Sequence, residues 1–451
     1  MATQRNLTEG SIGGNLLRFS LPYLLSCFLQ TFYGMADLFI TGQYNGAGVI
    51  TAVSVGSQLM HMLTVIIVGL AMGGTVTISR SVGAGDDRKA AKAIGNTTVL
   101  FLGFSLFLTA VLLACADGIL RLLAVPEEAY AQARRYVTIC FIGIPFITAY
   151  NVLAGIYRGL GDSKRPMYFG AIAGIINVGL DYLFIGPMSL GAAGAALATV
   201  LSQALSVILA LARLKKTLHI PVKRGDFRPE QGMMKTLLSI GVPVACQDGL
   251  IQVAFLVITM IGNRRGVEVA AAIGIVEKVI SFLFLVPSAM LSSVSTLCAQ
   301  NAGAGRHDRS RKTLQYALGI SVGFGLIVSI LCQFFSEDIV RLFAREEPKV
   351  ILLGGQYLRT YVFDCMLAGM HFCFSGFFCA YQKSMLSFIH NMLSVVLVRI
   401  PGALLATHLY PETLYAMGLA PALGSLLSSI ICIIFYVRYR AVWEGGETTA
   451  S

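Results

Sequence analysis

Long apolar stretches broken by short polar segments run through this chain. Twelve runs stand out: 19–42, 51–79, 94–116, 136–157, 168–186, 191–212, 237–262, 269–297, 314–335, 358–381, 385–406 and 414–437. Each is close to the roughly 20 residues that a helix needs to cross about 30 Å of hydrocarbon. Backbone in that medium must satisfy its own N–H and C=O groups, and a helix does so within one segment. The pattern predicts an all-α membrane protein with twelve transmembrane helices. The first run is too long for the apolar core of a cleaved leader and contains Asp37, so it reads as a span.

The runs fall into two sets of six that echo each other. Ser81-Val-Gly-Ala-Gly-Asp follows the second run, and Gln300-Asn-Ala-Gly-Ala-Gly follows the eighth. Gly83 and Gly303 lie 220 positions apart, as do Gly42 and Gly262, and Ile119-Leu-Arg-Leu and Ile339-Val-Arg-Leu; Leu21-Pro22 and Val242-Pro243 lie 221 apart. An even number of spans per half makes the repeat parallel. The expected organisation is a six-helix lobe over 1–212, a connector over 213–236 with seven basic residues, and a second six-helix lobe over 237–451. Transporters commonly bind substrate where such repeats meet.

Composition agrees with a bilayer environment. Hydrophobic residues make up 56% of the chain and charged residues 13%, with a mean hydropathy of +0.73. The net charge of +11 would suggest nucleic acid in a soluble chain. Its distribution says otherwise. With the N-terminus inside, inner segments carry 23 Lys and Arg and outer loops carry 9, balanced there by 9 acids; Lys278 and Arg399 lie within spans. That follows the positive-inside rule, so the expected setting is the cell's inner (plasma) membrane with both termini cytoplasmic. The expected partners are the lipid bilayer and small organic molecules, not nucleic acid.

The 10 Cys are scattered without a CxxC and read as small apolar residues. Most of the 47 Gly read as helix-packing positions. Gly83-Ala-Gly85 lacks the rest of a phosphate-binding loop, and no HExxH or GxSxG occurs. Neither an enzyme nor a resident cofactor is expected. The two halves already complete a transporter, so a monomer suffices.

Ionisable groups at membrane depth are expensive and mark function. Counting Arg359, at the edge of the tenth run, with the outer loop, seven fall within the runs: Asp37, Asp181, Asp248, Glu277, Lys278, Asp364 and Arg399. Asp364 and Arg399 sit at comparable depth on neighbouring spans and are expected to pair. Glu277 and Lys278 are adjacent and point to different faces, so one of them is a candidate partner for Asp248. Asp37 and Asp181 have no base in the first six runs. Asn177 lies one helical turn before Asp181 and on the same face. Two carboxyls with an amide form a proton site, or, with further oxygen ligands, a Na⁺ site at Asp37, Asn177 and Asp181.

Together these residues resemble the multidrug and toxic compound extrusion (MATE) transporters over nearly the whole chain. The likeness rests on Asp37, on Asn177-xxx-Asp181, on Gly194-Ala-Ala-Leu-Ala-Thr199, on Arg158-Gly-Leu-Gly-Asp162 after the fourth run, and on the paired Gly-Ala-Gly loops. The resemblance implies two six-helix lobes forming a V-shaped central cavity and efflux driven by H⁺ or Na⁺. It implies a first-lobe cation site at Asp37, Asn177, Asp181, Thr199 and Asn151. Second-lobe cavity roles would fall to Asp248, Glu277, Asp364 and Arg399. The second-half counterpart of Arg158-Gly159, in Phe377-Phe378-Cys379-Ala380-Tyr381, departs from the pattern.

The expected function is secondary antiport of amphipathic, often cationic, compounds by alternating access. The competing expectation is a lipid-linked oligosaccharide flippase of related fold. Its pyrophosphate head group calls for a cationic cavity, whereas acids outnumber bases five to two within the runs.

Overall fold

The computed structural model describes residues 7–218, 220–344 and 347–444. Arg5, Arg345 and the side chains of Lys215 and Lys216, counted above among the basic residues, and Glu346, counted among the acids, lie outside that description, as do the extreme ends of the two expected lobes. Twelve helices among the described residues are long and apolar enough to cross a membrane. They are α1 (Ile12–Tyr44), α2 (Ala47–Gly83), α3 (Asp87–Leu122), α4 (Glu127–Gly159), α5 (Lys164–Ile185) and α6 (Ala192–Thr217). The second set is α7 (Gln231–Asn263), α8 (Val267–Gly303), α9 (His307–Arg341), α10 (Pro348–Ala380), α11 (Ser384–Leu409) and α12 (Tyr415–Arg438). A last turn, α13 (Arg440–Trp443), follows.

Several helices overrun the apolar runs that predicted them, because polar flanks continue the helix beyond the hydrocarbon. Two helices are interrupted. α8 breaks at Phe284, where Pro287 has no N–H for the Leu283 carbonyl and its ring crowds that group. The Cys365 thiol takes up the freed carbonyl at 3.9 Å. α10 breaks at Val362. α11 contains a π turn, Val395–Arg399, just before Pro401.

The sequence repeat is also a backbone repeat. α2 and α8 each end in a left-handed glycine, Gly85 at φ +69° and Gly305 at φ +71°. In both, the next N–H reaches back five residues, Asp86 to the Ser81 carbonyl at 3.0 Å and Arg306 to the Asn301 carbonyl at 2.8 Å. α4 and α10 end alike, at Gly161 (φ +86°) and Gln382 (φ +61°). Their closing bonds run from Asp162 to Tyr157 and from Lys383 to Phe378, both 2.9 Å. This left-handed cap satisfies carbonyls that the helix end would leave open.

The chain divides into two compact units. One comprises Leu21–Gly241, the other Leu7–Ser20 with Val242 onward. The division differs from the boundaries drawn on the sequence, because each half lends the start of its first helix to the other unit. In the second unit, Leu7 N–H donates to Gln300 Oε1 at 3.3 Å, and Arg306 and Arg309 donate to the carbonyls of Thr8 (2.6 Å) and Gly10 (3.0 Å). In the first unit, Asp226 pairs with Arg88 at 2.7 Å, and Asn96 Oδ1 accepts the Glu230 N–H at 2.8 Å. The α7 start then packs on α2 through glycines: a β-carbon at Gly73 would overlap the Leu237 carbonyl, and one at Gly241 the Leu70 carbonyl. The two breakpoints, at 20/21 and 241/242, are 221 positions apart and therefore themselves obey the repeat.

Gln382 holds a conformation that costs an L-residue about 1–2 kcal/mol and glycine little. Gln382→Gly is expected to raise stability by about 0.5–1 kcal/mol, seen as a higher thermal midpoint in detergent. An unchanged or lower midpoint would show that the Gln382 side chain offsets its backbone cost.

Candidate functional site

In the first unit, α5 buries one stripe: Pro166, Gly170, Ala173, Asn177, Asp181 and Ile185. The spacing is one helical turn at nearly every step, so the polar pair is carried on the same face as the packing residues. Gly174 lets Tyr33 of α1 approach; a β-carbon there would stand 3.0 Å from the ring. This contact brings α1, and with it Asp37, alongside α5.

Asp37 and Asp181 are both buried, 5% and 0% exposed, and their carboxyl groups are close neighbours. Asp37 Oδ1 and both Asp181 oxygens have no hydrogen-bond donor, and neither side-chain atom of the buried Asn177 has a partner. Two carboxylates offer only acceptors to each other. Such a pair is stable in an apolar medium when it shares a proton or when a cation bridges its oxygens. Thr199 also faces Asp37, although its hydroxyl donates to the Ala195 carbonyl at 3.1 Å.

Asn151 is buried, but its amide donates to the Ile147 carbonyl one turn back, at 2.8 Å. Asp37, Asp181 and Thr199 are brought together, with Asn177 one turn before Asp181, while the Asn151 amide N–H, like the Thr199 hydroxyl, is used one turn back in its own helix.

The structure adds residues that the sequence did not single out. Tyr33, Tyr136 and Cys140 lie within electrostatic reach of Asp37. Tyr136 shares a hydrogen bond with Ser57 at 3.0 Å and sits over Gly56, where a β-carbon would collide with its ring. Tyr33 Oη accepts from Gln203 Nε2 at 3.4 Å, and Gln203 Oε1 is buried without a partner. The signal for Tyr136 was Gly56, the one small residue able to admit the ring from a neighbouring helix.

A further correction concerns Arg158. Sequence put it beyond the fourth run and left the first half without an intramembrane base. α4 continues to Gly159 and buries Arg158, 8% exposed. Its guanidinium lies over the Tyr23 ring, 5.0 Å from the centroid, and its Nε is enclosed without a hydrogen-bond partner. A cation over a tyrosine ring gains about 0.5–2 kcal/mol, less than the several kcal/mol of taking an ion out of water.

In the second unit, Asp364 (0% exposed) and Arg399 (6%) form the expected ion pair. Arg399 Nη2 donates to both carboxylate oxygens at 3.1 Å and to Ser425 Oγ at 2.7 Å. The π turn carries Arg399, and Gly424 leaves room for its side chain. Beyond Ser425 the polar chain continues: His371 Nε2 meets Ser425 Oγ at 3.2 Å, and His390 bridges Ser375 (2.9 Å) and Ser428 (3.2 Å).

Glu277 accepts the Thr259 hydroxyl at 2.9 Å, while its second oxygen is buried without a partner. Lys278 is exposed. Among the described residues no ion pair joins Lys278 to Asp248, which corrects the expected partnership; adjacent positions on α8 turned Lys278 outward.

A buried carboxyl pair in one unit and a buried ion pair in the other, on one duplicated scaffold, invite comparison with known proteins. The MatE family model matches residues 22–183 and 243–405. The chain belongs to the MatE family. The matched stretches begin 221 positions apart, as the repeat does. The "Probable multidrug resistance protein YpnP" of Bacillus subtilis (strain 168) is 28% identical over 435 residues, covering 96% of each chain. The "FAD transporter" of Shewanella oneidensis is 26% identical over 468 residues, covering 100% of this chain and 99% of its own. A solved MOP superfamily transporter from Pyrococcus furiosus superposes with a TM-score of 0.90 at 22% identity, over 97% of this chain and 98% of its own. As a MatE member, the chain is a multi-pass membrane transporter.

Removing one partner of a buried ion pair leaves the other uncompensated, at about 3–5 kcal/mol. Arg399→Leu is expected to lose that much in denaturant unfolding in detergent, and the double variant with Asp364→Leu should recover most of it. A double variant no more stable than Arg399→Leu would mean that Arg399 acts through Ser425 or packing instead of through Asp364.

Proposed function

We propose that this transporter is an antiporter that exports small amphipathic or cationic organic compounds in exchange for H⁺ or Na⁺. The observation that carries the reading is the buried Asp37–Asp181 carboxyl pair, three of whose four oxygens have no hydrogen-bond donor. It is the kind of site that takes up a proton or a small cation and releases it at modest cost. Relatives named for multidrug resistance or export support the substrate class.

In this reading Asp37 and Asp181 bind the coupling ion, with Asn177 and Thr199 as further oxygen donors. Tyr33 and Tyr136 position Asp37. Loading would neutralise local charge on α1 and α5 and change how they pack. Substrate and ion would then bias one conformational equilibrium in opposite directions. The Asp364–Arg399 pair would hold the second unit rigid, leaving Glu277 and Asp248 for substrate cations. Alternating access would follow from rearrangement of the two duplicated units, in a monomer. The basic-residue asymmetry supports an inner-membrane setting with both termini inside.

The test uses purified protein in liposomes, with separate pH and Na⁺ gradients and a fluorescent cationic dye. Wild-type protein should move dye down one gradient, which names the ion. Asp37→Asn and Asp181→Asn should each abolish that movement. Retained coupling in both variants would sink the assignment. If neither gradient moves dye but labelled lipid flips, the flippase reading takes its place.

A further inference from the structure

Arg158 poses a problem that the coupling site does not answer. A guanidinium carries five donors and keeps its proton at any physiological pH. Arginines near helix ends usually extend the charged head to the interface. This one is covered by protein, with Nε enclosed. Asp162, the acid nearest in sequence, is spent on Arg165 at 3.0 Å and accepts the backbone N–H groups of Lys164 and Arg165. Among the described residues no carboxylate lies within ion-pair distance of Arg158. Cys27 and Tyr150 also lie in its electrostatic reach, and Tyr150 donates to the Pro166 carbonyl at 3.3 Å.

The scaffold does not need the charge. By the 221-position offset that relates Gly161 to Gln382, the counterpart of Arg158 is Cys379. There the same helix end is packed with apolar and aromatic groups; Cys379 is 1% exposed, and neighbouring Phe378 stacks on Trp443 with centroids 5.7 Å apart. One copy of the repeat closes this position with side chains, and the other places an unpaired cation in it.

We propose that Arg158, roofed by Tyr23 and flanked by Tyr150, binds a phosphate oxyanion inside the first unit. A guanidinium fork matches the oxygens of a phosphate group. Two sources present that chemistry: the head group of an anionic lipid, and a free phosphate or phosphate-bearing solute. In the proposed orientation Arg158 is near the inner surface, which both can reach. The site is separate from the carboxyl pair. Tyr23 and Asp37 are 14 positions apart on α1, or about 21 Å of helix, so an anion at Arg158 does not neutralise the coupling acids. The proposal therefore stands or falls independently of ion-coupled antiport.

The test uses the full-length protein, delipidated in dodecyl maltoside, which has no phosphate. Thermal midpoints are measured with sodium phosphate against sodium chloride at equal ionic strength, and with phosphatidylglycerol against diacylglycerol of the same tails. The wild type should gain several degrees with a phosphate-bearing probe over its control. Arg158→Gln should lose the gain, Tyr23→Leu should reduce it, and Arg158→Lys should keep part of it. A gain with phosphatidylglycerol alone names a lipid head group as the ligand; a gain with inorganic phosphate as well names a free oxyanion. Should Arg158→Gln not fold, Arg158→Lys and Tyr23→Leu carry the comparison. No gain in the wild type with either probe, or equal gains in wild type and every folded variant, overturns the proposal.

Discussion

Charge placed in hydrocarbon must be matched, and this single constraint organises the interior of both units. The second unit meets it for Asp364 and Arg399 with protein groups, while one Glu277 oxygen stays buried without a partner. Arg399 spans Asp364 and Ser425, and Ser425 hands the chain of polar contacts on to His371. The π turn that carries Arg399 and the open space at Gly424 belong to that solution. The first unit leaves charge unmatched twice. Asp37 faces Asp181, acceptor against acceptor, and Arg158 lies under a ring that offsets only part of its burial. Buried groups left unmatched are where a bound ligand changes the energy most.

The duplication itself is held by backbone geometry more than by side chains. Left-handed caps recur at Gly85 and Gly305 and again at Gly161 and Gln382, though the last is no longer glycine. The helix end keeps this geometry with glutamine at the left-handed position, because the five-residue return bond from Lys383 to Phe378 is made. Each unit also incorporates the leading residues of the other half's first helix. α1 and α7 therefore each contribute residues to both units. Pro22 and Val242-Pro243 stand at the crossing points, where a missing N–H already weakens the helix. Asp37 lies further along one of these shared helices.

Much of this was legible in the sequence, for physical reasons. Helices in hydrocarbon need long apolar runs, so twelve spans could be counted directly. Burying charge is costly, so few acids are present and each one stands out; Asp37, Asp181 and the Asp364–Arg399 pair were all visible. Ends of helices were harder. A helix does not stop where the hydrocarbon stops, and α4 carried Arg158 one residue past the apolar run into a buried position. Residues with two possible roles were the hardest. Asn151 has the composition of a ligand, but the Ile147 carbonyl was an available acceptor one turn away. Tyr33 and Tyr136 read as packing because tyrosine on an apolar helix usually is packing. Only the glycines opposite them, Gly174 and Gly56, reveal that the rings are inserted between helices.

The pairing of opposite unmatched charges within one unit also bears on how the fold serves different substrates. An acid pair alone favours cations, and a buried arginine alone favours anions. Here they are set apart by about 21 Å of helix α1, with Tyr150 and Tyr33 between them; each tyrosine lies within electrostatic reach of the other, Tyr150 of Arg158, and Tyr33 of Asp37. At that separation the two sites are not an internal salt bridge, so neither cancels the other. On the two proposals above, filling either one would remove an electrostatic penalty from the same six-helix unit. An anion bound at one end and a cation at the other would therefore act on a common conformational equilibrium through α1 without ever touching, which is the minimum a single helix must do to couple two ligands.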